Sequence, residues 1–356
     1  MRALILDEPN VPLRVDEVPR PEPGPGEVLV KVEACGVGLT VVNICTGKLR
    51  GPTGPPRNRI PGHEIAGVVV ETGAGVTRYK PGARVLAYFY LTCGYCRQCR
   101  RGKDPLCDNF RGFVGNDVNG GYAEYVVLPE NNWLTLPDGL DFVAATTIPD
   151  AIGTPVHVCG ARANLKPGDR AIVIGAAGGV GVHMIQVARL HGAETIAVDI
   201  DDAKLERVKP YGADHVLNLE RLGAAAASEF VRHVTDGDGA DAVIDTVGSA
   251  DTLKWGYELL AKGGTLVNIA THPGVELSLW PATLVFKELT VTGSRYHSRA
   301  EYERAIELVR QGRITPVVSE VGPLESVEAM HDKLRAATFF GRGAAVPSSP
   351  SAVGSA

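Results

Sequence analysis

An α/β fold in two parts, a β-rich domain and a doubly wound parallel sheet, is what the sequence predicts, on three observations. Up to about residue 150, short period-two apolar runs are cut by Pro and Gly. From Asp169 onward, apolar strands alternate with helix-period segments. A glycine-rich stretch then joins the first of those strands to the first of those helices. Period-two alternation marks half-buried strands, and strand–helix alternation marks βαβ units on a parallel sheet.

Length and composition bound the reading. The chain has 356 residues, enough for two domains and a sizeable core. Its 42 glycines and 24 prolines imply many turns between short elements. Lys plus Arg number 36 against 41 Asp plus Glu, a net charge of −5, so there is no basic excess for nucleic acid or a membrane surface. Aromatics, at 6%, are too sparse for base-stacking platforms. No apolar stretch approaches the roughly eighteen residues that span a bilayer, and Met1–Glu8 hold no apolar secretory segment. A soluble, cytoplasmic protein with reduced thiols is expected.

In the first part, strands are expected at Val28–Val32, Ala66–Val70 and Tyr122–Val127. In the second they are expected at Ala171–Ile174, Thr195–Val198, His215–Leu217, Ala242–Ile244 and Thr265–Ile269. Helical periodicity covers Val180–Leu190, Asp202–Val208 and Thr252–Leu260, then Tyr302–Gln311 and Ser326–Ala336. No internal repeat is evident.

The stretch Gly175-Ala176-Ala177-Gly178-Gly179-Val180-Gly181 follows a strand and opens a helix. In that context glycines let a pyrophosphate approach the backbone, and the helix N-terminus supplies unpaired N–H groups and a favourable dipole. Gly178 and Gly181 take the second and third glycine places of G-x-G-x-x-G, and Ala176 takes the first. Gly178, Gly179 and Val180 are the candidate pyrophosphate contacts. Asp199 ends the next strand, twenty-one residues after Gly178, where a carboxylate binds a ribose diol and repels a 2′-phosphate. NAD is therefore expected in preference to NADP.

Four of the seven cysteines, Cys93, Cys96, Cys99 and Cys107, fall in the pattern C-x2-C-x2-C-x7-C. Four thiolates form a closed tetrahedral set for a structural zinc, with no position left for substrate. Iron–sulfur ligation is the rival reading, though the last interval matches neither ferredoxin pattern. Cys35 and Cys45 read as small buried thiols.

This combination resembles the zinc-type medium-chain dehydrogenase/reductase (alcohol dehydrogenase) family from Met1 to about Val346. Pro61-Gly62-His63-Glu64, Gly120-Gly121-Tyr122-Ala123-Glu124-Tyr125, Lys166-Pro167-Gly168-Asp169 and Val198-Asp199-Ile200 also match. The resemblance implies a GroES-like β-rich catalytic domain at 1–151 and 294–346, carrying the zinc lobe at 90–112. It implies a Rossmann NAD-binding domain at 152–293, with 347–356 left as a disordered tail. It further implies a homodimer or homotetramer paired through the nucleotide-domain sheet, acting on a small alcohol or carbonyl substrate. Lys204 matches the lysine that meets the adenosine ribose, and Arg342 matches the arginine near the coenzyme phosphates.

One position breaks the pattern. The family's catalytic zinc is held by a Cys, a His and a third Cys, Asp or Glu. Here the segment that carries the first ligand reads Gly36-Val37-Gly38-Leu39-Thr40-Val41, with Gly38 at the ligand position. His63 and Asp150 stand at the other two, with Glu64 beside His63. Two readings remain open: a zinc held by His63, Glu64 and Asp150, or no catalytic zinc, with His63 and Asp150 acting as hydrogen-bonding or acid/base groups. Thr40 occupies the family's hydroxyl relay position, and Asn43 replaces the next relay member with a group that cannot ionise.

The expected function is NAD-dependent interconversion of an alcohol and an aldehyde or ketone, with Thr40, His63 and Asp150 facing the substrate. The rival enzyme reading is reduction of a C=C bond conjugated to a carbonyl, which needs no Lewis acid. A coenzyme-binding protein with a decayed site is the third class. Tyr88, Phe89, Phe110, Trp133 and Trp280 are candidate pocket walls, with a core role as the default for each.

Overall fold

The computed structural model describes residues 1–348, so the tail expected to be disordered lies outside the described residues except for Pro347 and Ser348. Backbone contacts divide the chain into two units. The first comprises Met1–Asp150, Ser298–Arg310 and the described residues from Pro316 on; the second comprises Ala151–His297 and Gln311–Thr315.

Unit 1 begins with a small antiparallel pair, β1 (Arg2–Ile5) and β2 (Arg14–Glu17). β3 (Glu27–Val37) follows, its residues mostly buried, and leads through Gly38 into helix α1 (Leu39–Cys45). Next come β4 (Ile65–Thr72), β5 (Arg84–Ala87), β6 (Tyr125–Pro129) and β7 (Trp133–Thr135). The strand expected from Tyr122 thus starts three residues later. Tyr122 is instead buried, and its hydroxyl donates to the carbonyl of Gly36 at 3.3 Å.

Unit 2 carries β8 (Arg170–Ile174), α2 (Gly179–Leu190), β9 (Glu194–Asp199), α3 (Asp202–Val208) and β10 (His215–Asn218). It continues with α4 (Leu219–Val234), β11 (Ala240–Asp245), α5 (Ala250–Glu258), β12 (Leu260–Asn268), α6 (Pro281–Lys287) and β13 (Thr290–Gly293). The six strands pair in parallel in the order β10-β9-β8-β11-β12-β13. Counted within the unit, this is 3-2-1-4-5-6, the doubly wound order of a dinucleotide-binding sheet. Ala171, Ile172, Val173 and Ile174 are all buried, as a strand covered on both faces requires. Sequence periodicity did not anticipate α4, α6 or β13.

The chain then supplies α7 (Arg299–Arg310), β14 (Val318–Gly322), α8 (Val327–Arg335) and β15 (Arg342–Ala345) to unit 1. β15 pairs antiparallel with β3, setting Gly343 against Val37 and Ala344 against Gly36. That completes a seven-stranded sheet, β14-β15-β3-β4-β5-β7 with β6 also on β3. β3 is its spine, since it pairs with β4, β6 and β15. Trp280, expected by default in the core, is 76% exposed at the start of α6, whereas Tyr88, Phe89 and Trp133 are buried.

In unit 2, α2 lies close on the turn that precedes it. A Cβ at Gly181 would sit 2.7 Å from the Cα of Ala176 and nearer still to the Gly175 carbonyl. Backbone cannot yield as a side-chain tip can. Gly181→Val is therefore expected to lower the urea unfolding free energy by about 2–3 kcal/mol or more. Gly139→Ala would not probe this packing, because a Cβ there meets nothing.

Candidate functional site

In unit 2, the turn between β8 and α2 shows why its glycines stand where they do. The left-handed residue is Gly175, with φ 77°, one position before Ala176. Gly178 is the N-cap of α2, has extended backbone angles and offers no side-chain cap to the helix's free N–H groups. A Cβ there would meet only the Gly175 carbonyl, at 3.4 Å. Gly179 and Val180 follow as the first two residues of the helix. This cradle of uncapped N–H groups at a helix N-terminus fits a pyrophosphate.

Asp199 ends β9 beside that turn. Its Oδ2 accepts from the Ala177 N–H at 2.9 Å, its Oδ1 accepts from the Ile200 N–H at 2.8 Å, and Lys204 Nζ lies 3.4 Å away. Both side chains are nearly buried. The structure thus brings together Gly178, Gly179, Val180, Asp199 and Lys204, all five in unit 2.

Sequence reading missed Asp245 at the end of β11, which pairs with Ile174 of β8. Its Oδ1 accepts from the N–H groups of Val247 and Gly248 at 2.8 Å each, and burial pushes its carboxyl up. Beyond the ends of β11 and β12 lies a cavity of about 370 Å³ lined by Gly248, Asn268, Ala270 and His272, among others. An acid closing an apolar strand just before Thr246-Val247-Gly248 was the available signal.

In unit 1, the four lobe cysteines converge. Their sulfur atoms lie within 4.8 Å of one another. Cys107 Sγ is 3.5 Å from Cys93 Sγ and 3.9 Å from Cys96 Sγ, which bracket the ~3.8 Å edge of a tetrahedron with ~2.3 Å Zn–S bonds. Backbone N–H groups point at the sulfurs: Cys96 at Cys93, Cys99 and Asp108 at Cys96, and Cys93 at Cys107, at 3.3–3.4 Å. Burial opposes ionisation of Cys93, but the N–H groups of Tyr95 and Cys96 outweigh it and bring that thiol down to about 6. The N–H of Cys99 lowers Cys96, while burial and neighbouring sulfur raise Cys99 and Cys107. Such a set becomes fully thiolate only around a cation, so the residues fit a tetrathiolate zinc.

The lobe is anchored by Arg299. Its guanidinium donates to Asp104 and Thr92 at 2.9 Å each and lies 4.6 Å over the ring of Tyr88. Cys35, Cys45 and Cys159 are free and buried, as expected of bystander thiols.

The second cluster of unit 1 centres on Arg342. His63 and Glu64 are fully buried in the segment leading into β4, and Asp150 is 6% exposed in the helical turn Ile148–Ile152. Arg342, 4% exposed, donates from Nη2 to Asp150 Oδ2 at 2.8 Å and from Nε to Glu64 Oε1 at 3.2 Å, and Nη2 lies 3.0 Å from Glu64 Oε1. Thr40 Oγ1 donates to Asp150 Oδ2 at 3.3 Å, and His63 Nε2 is 3.6 Å from that oxygen. The His63 ring packs on Phe89, centroids 4.2 Å apart, and neither ring nitrogen has a hydrogen-bond partner among the described residues. Burial pushes the Glu64 carboxyl up, against the pull of Arg342. Burial alone would lower Arg342, but Glu64 and Asp150 raise it overall.

Thr40, His63, Glu64 and Asp150 are thus brought together. Arg342, expected at the coenzyme phosphates, is placed by its side chain against the two carboxylates. His63, Glu64 and Asp150 offer donor atoms within 4.8 Å of one another. Even so, the set does not fit a catalytic zinc. Gly38 contributes no ligand, and a Cβ there would lie 2.6 Å from Arg342 Cζ. Both carboxylates already accept from a cation.

The comparisons agree with both units. An alcohol dehydrogenase GroES-like domain model matches residues 24–138, and a zinc-binding dehydrogenase model matches residues 179–311. The chain is 33% identical over 350 residues to an NAD-dependent alcohol dehydrogenase of Sulfolobus acidocaldarius, covering 96% of this chain and 98% of that one. It is 30% identical to an acryloyl-coenzyme A reductase of Metallosphaera sedula, over 94% and 96%. A crystal structure of an NAD-dependent alcohol dehydrogenase aligns with a TM-score of 0.90 at 34% identity, over 97% and 99%. The protein belongs to the zinc-type medium-chain alcohol dehydrogenase family and is an oxidoreductase. Among the described residues no helix is long and apolar enough to cross a membrane.

Chelation of the lobe is the direct test of its metal. Cys107→Ser is expected to purify without a tightly held zinc and to unfold several degrees below the parent in a thermal scan. Retention of one full equivalent of zinc by this variant would remove the tetrathiolate assignment.

Proposed function

We propose that the protein is an NAD-dependent dehydrogenase that interconverts an alcohol and an aldehyde or ketone, with Cys93, Cys96, Cys99 and Cys107 holding a structural zinc. The observation that carries the reading is the uncapped N-terminus of α2 with Asp199 beside it, at the end of a parallel sheet of order 3-2-1-4-5-6. Gly178, Gly179 and Val180 would hold the pyrophosphate, and Asp199 with Lys204 the adenosine ribose. The bound coenzyme supplies the hydride acceptor, or the donor in reverse. The curated relatives named NAD-dependent alcohol dehydrogenase support the same coenzyme and substrate class.

The proton is the part left to unit 1. Thr40 already donates to Asp150 Oδ2. As the alcohol loses its hydride, Thr40 takes the hydroxyl proton and passes its own to Asp150. In carbonyl reduction the same chain runs backward and delivers a proton to the developing alkoxide. Arg342 donates to that same Asp150 oxygen, and His63 is in reach of it.

A second reading, reduction of a conjugated C=C bond, is favoured by one observation, Gly38 in the place of a metal ligand. It also matches the name of the Metallosphaera relative. We further assign the assembly as a homodimer or homotetramer that pairs through unit 2. There β13 ends the sheet, and Trp280, Val285 and Phe286 on and beside α6 are 71–84% exposed.

Steady-state assays of matched alcohols, ketones and enones with NAD(H) and NADP(H) test the function. The reading expects NAD-linked turnover of alcohol–ketone pairs. Turnover confined to enones would transfer the assignment to the second reading, and tight NADH binding without any turnover would reduce the protein to a coenzyme binder. Asp199→Ala is expected to weaken NAD at least tenfold while NADP gains relative to it. Thr40→Val is expected to lower kcat by about 100-fold with NADH affinity unchanged, since it removes the hydroxyl relay alone.

A further inference from the structure

Gly38 is not a glycine for its backbone. It has φ −145° and ψ 170°, angles any residue adopts. What the position lacks is room. A Cβ would lie 2.6 Å from Arg342 Cζ and 3.1 Å from its Nε, with Nη1 nearer than either. The pairing of β15 with β3 produces this approach, because Gly343 stands against Val37 and the next residues outward are Arg342 and Gly38. An arginine tip could ordinarily swing aside. This one is 4% exposed and held by Glu64 and Asp150 together. A side chain at 38 would have to expel the guanidinium from both carboxylates.

The neighbouring glycine repeats the lesson. A Cβ at Gly36 would lie 2.8 Å from the Cβ of Glu64. Gly36 near the end of β3 and Gly38 just beyond it therefore make the space in which Glu64 and Arg342 meet.

We propose that the Arg342 guanidinium replaces the catalytic zinc ion of this family, and that a metal ion and this arginine exclude one another at the site. The charge argument is direct. Two buried carboxylates need a cation, and a guanidinium supplies one through fixed N–H donors, as a metal supplies one through coordination. Asp150 Oδ2 already receives donors from Arg342 and Thr40, so a zinc would compete for the same lone pairs and sit against a like charge. Of the three donor residues of this cluster, His63 alone keeps ring nitrogens without a hydrogen-bond partner among the described residues, and one imidazole holds zinc weakly. Arg342 acts here through Asp150 and Glu64, as a positioning residue.

The test counts metal, so it stands whether or not any substrate is turned over. Full-length protein is saturated with Zn²⁺, dialysed free of loose metal and analysed for zinc per chain, beside Arg342→Met and Asp150→Asn. The parent is expected to hold one equivalent, unchanged in Asp150→Asn. Arg342→Met is expected to bind a second equivalent and to gain several degrees of thermal stability when zinc is added, a gain the parent lacks. A second equivalent in the parent, lost in Asp150→Asn, overturns the proposal. So does a folded Arg342→Met that takes no extra zinc. Should that variant not fold, Arg342→Lys replaces it; partial loss of the fork is expected to admit zinc at higher concentration than in Arg342→Met, and a Lys variant that takes none at any concentration counts against exclusion.

Discussion

Glu64 and Asp150 lie far apart in sequence, one fully and the other nearly buried, and both meet one guanidinium, that of Arg342. Removing one partner of a buried ion pair typically costs about 3–5 kcal/mol, because the remaining charge is left unpaired. The cluster therefore holds three parts of unit 1 in register: the segment before β4, the stretch that ends at Asp150 and the start of β15. Gly36 and Gly38 are consequences of it, since each stands where a Cβ would displace a member. Thr40, two residues beyond Gly38, is placed against Asp150 by the same arrangement.

The cysteine lobe and the nucleotide cradle are built on other principles. The lobe lacks a hydrophobic core of its own; its centre is four sulfur atoms with Phe110 packed against them, and backbone N–H groups prepare those sulfurs for a cation. The cradle is made of backbone, with Gly175 turning the chain and Gly181 letting α2 lie close to that turn. One site is closed by side chains, the other left open by their absence. An oxidoreductase of this family needs both, a rigid fold and a coenzyme platform, and the function proposed above leaves the proton chemistry to the arginine-centred cluster.

Much of this was legible in the sequence because it rests on local spacing. The parallel strands, the glycine turn, Asp199 and the four cysteines are each readable within a short window, and each was found near its expected position. Trp280 and α6 were not, because an apolar face that covers no core of its own has the same composition as one that does. Arg342 was assigned by resemblance to the coenzyme phosphates. Its contacts with Glu64 and Asp150 span 278 and 192 residues, and no periodicity carries information over such distances. Gly38 was visible as a missing ligand, yet the reason for it, a guanidinium in that space, emerges only when β15 is laid against β3. Ala176 takes the first glycine place of the motif without a positive φ; the left-handed residue is its neighbour Gly175, which glycine spacing alone does not reveal.

An anomalous-difference map at the zinc absorption edge, from crystals grown with zinc present, tests the central claim most directly. The account predicts one strong peak per chain, equidistant from the sulfurs of Cys93, Cys96, Cys99 and Cys107, with ordinary density for the Arg342 side chain between Glu64 and Asp150. A second peak of comparable height between His63 and Asp150, with Arg342 turned away, would contradict it.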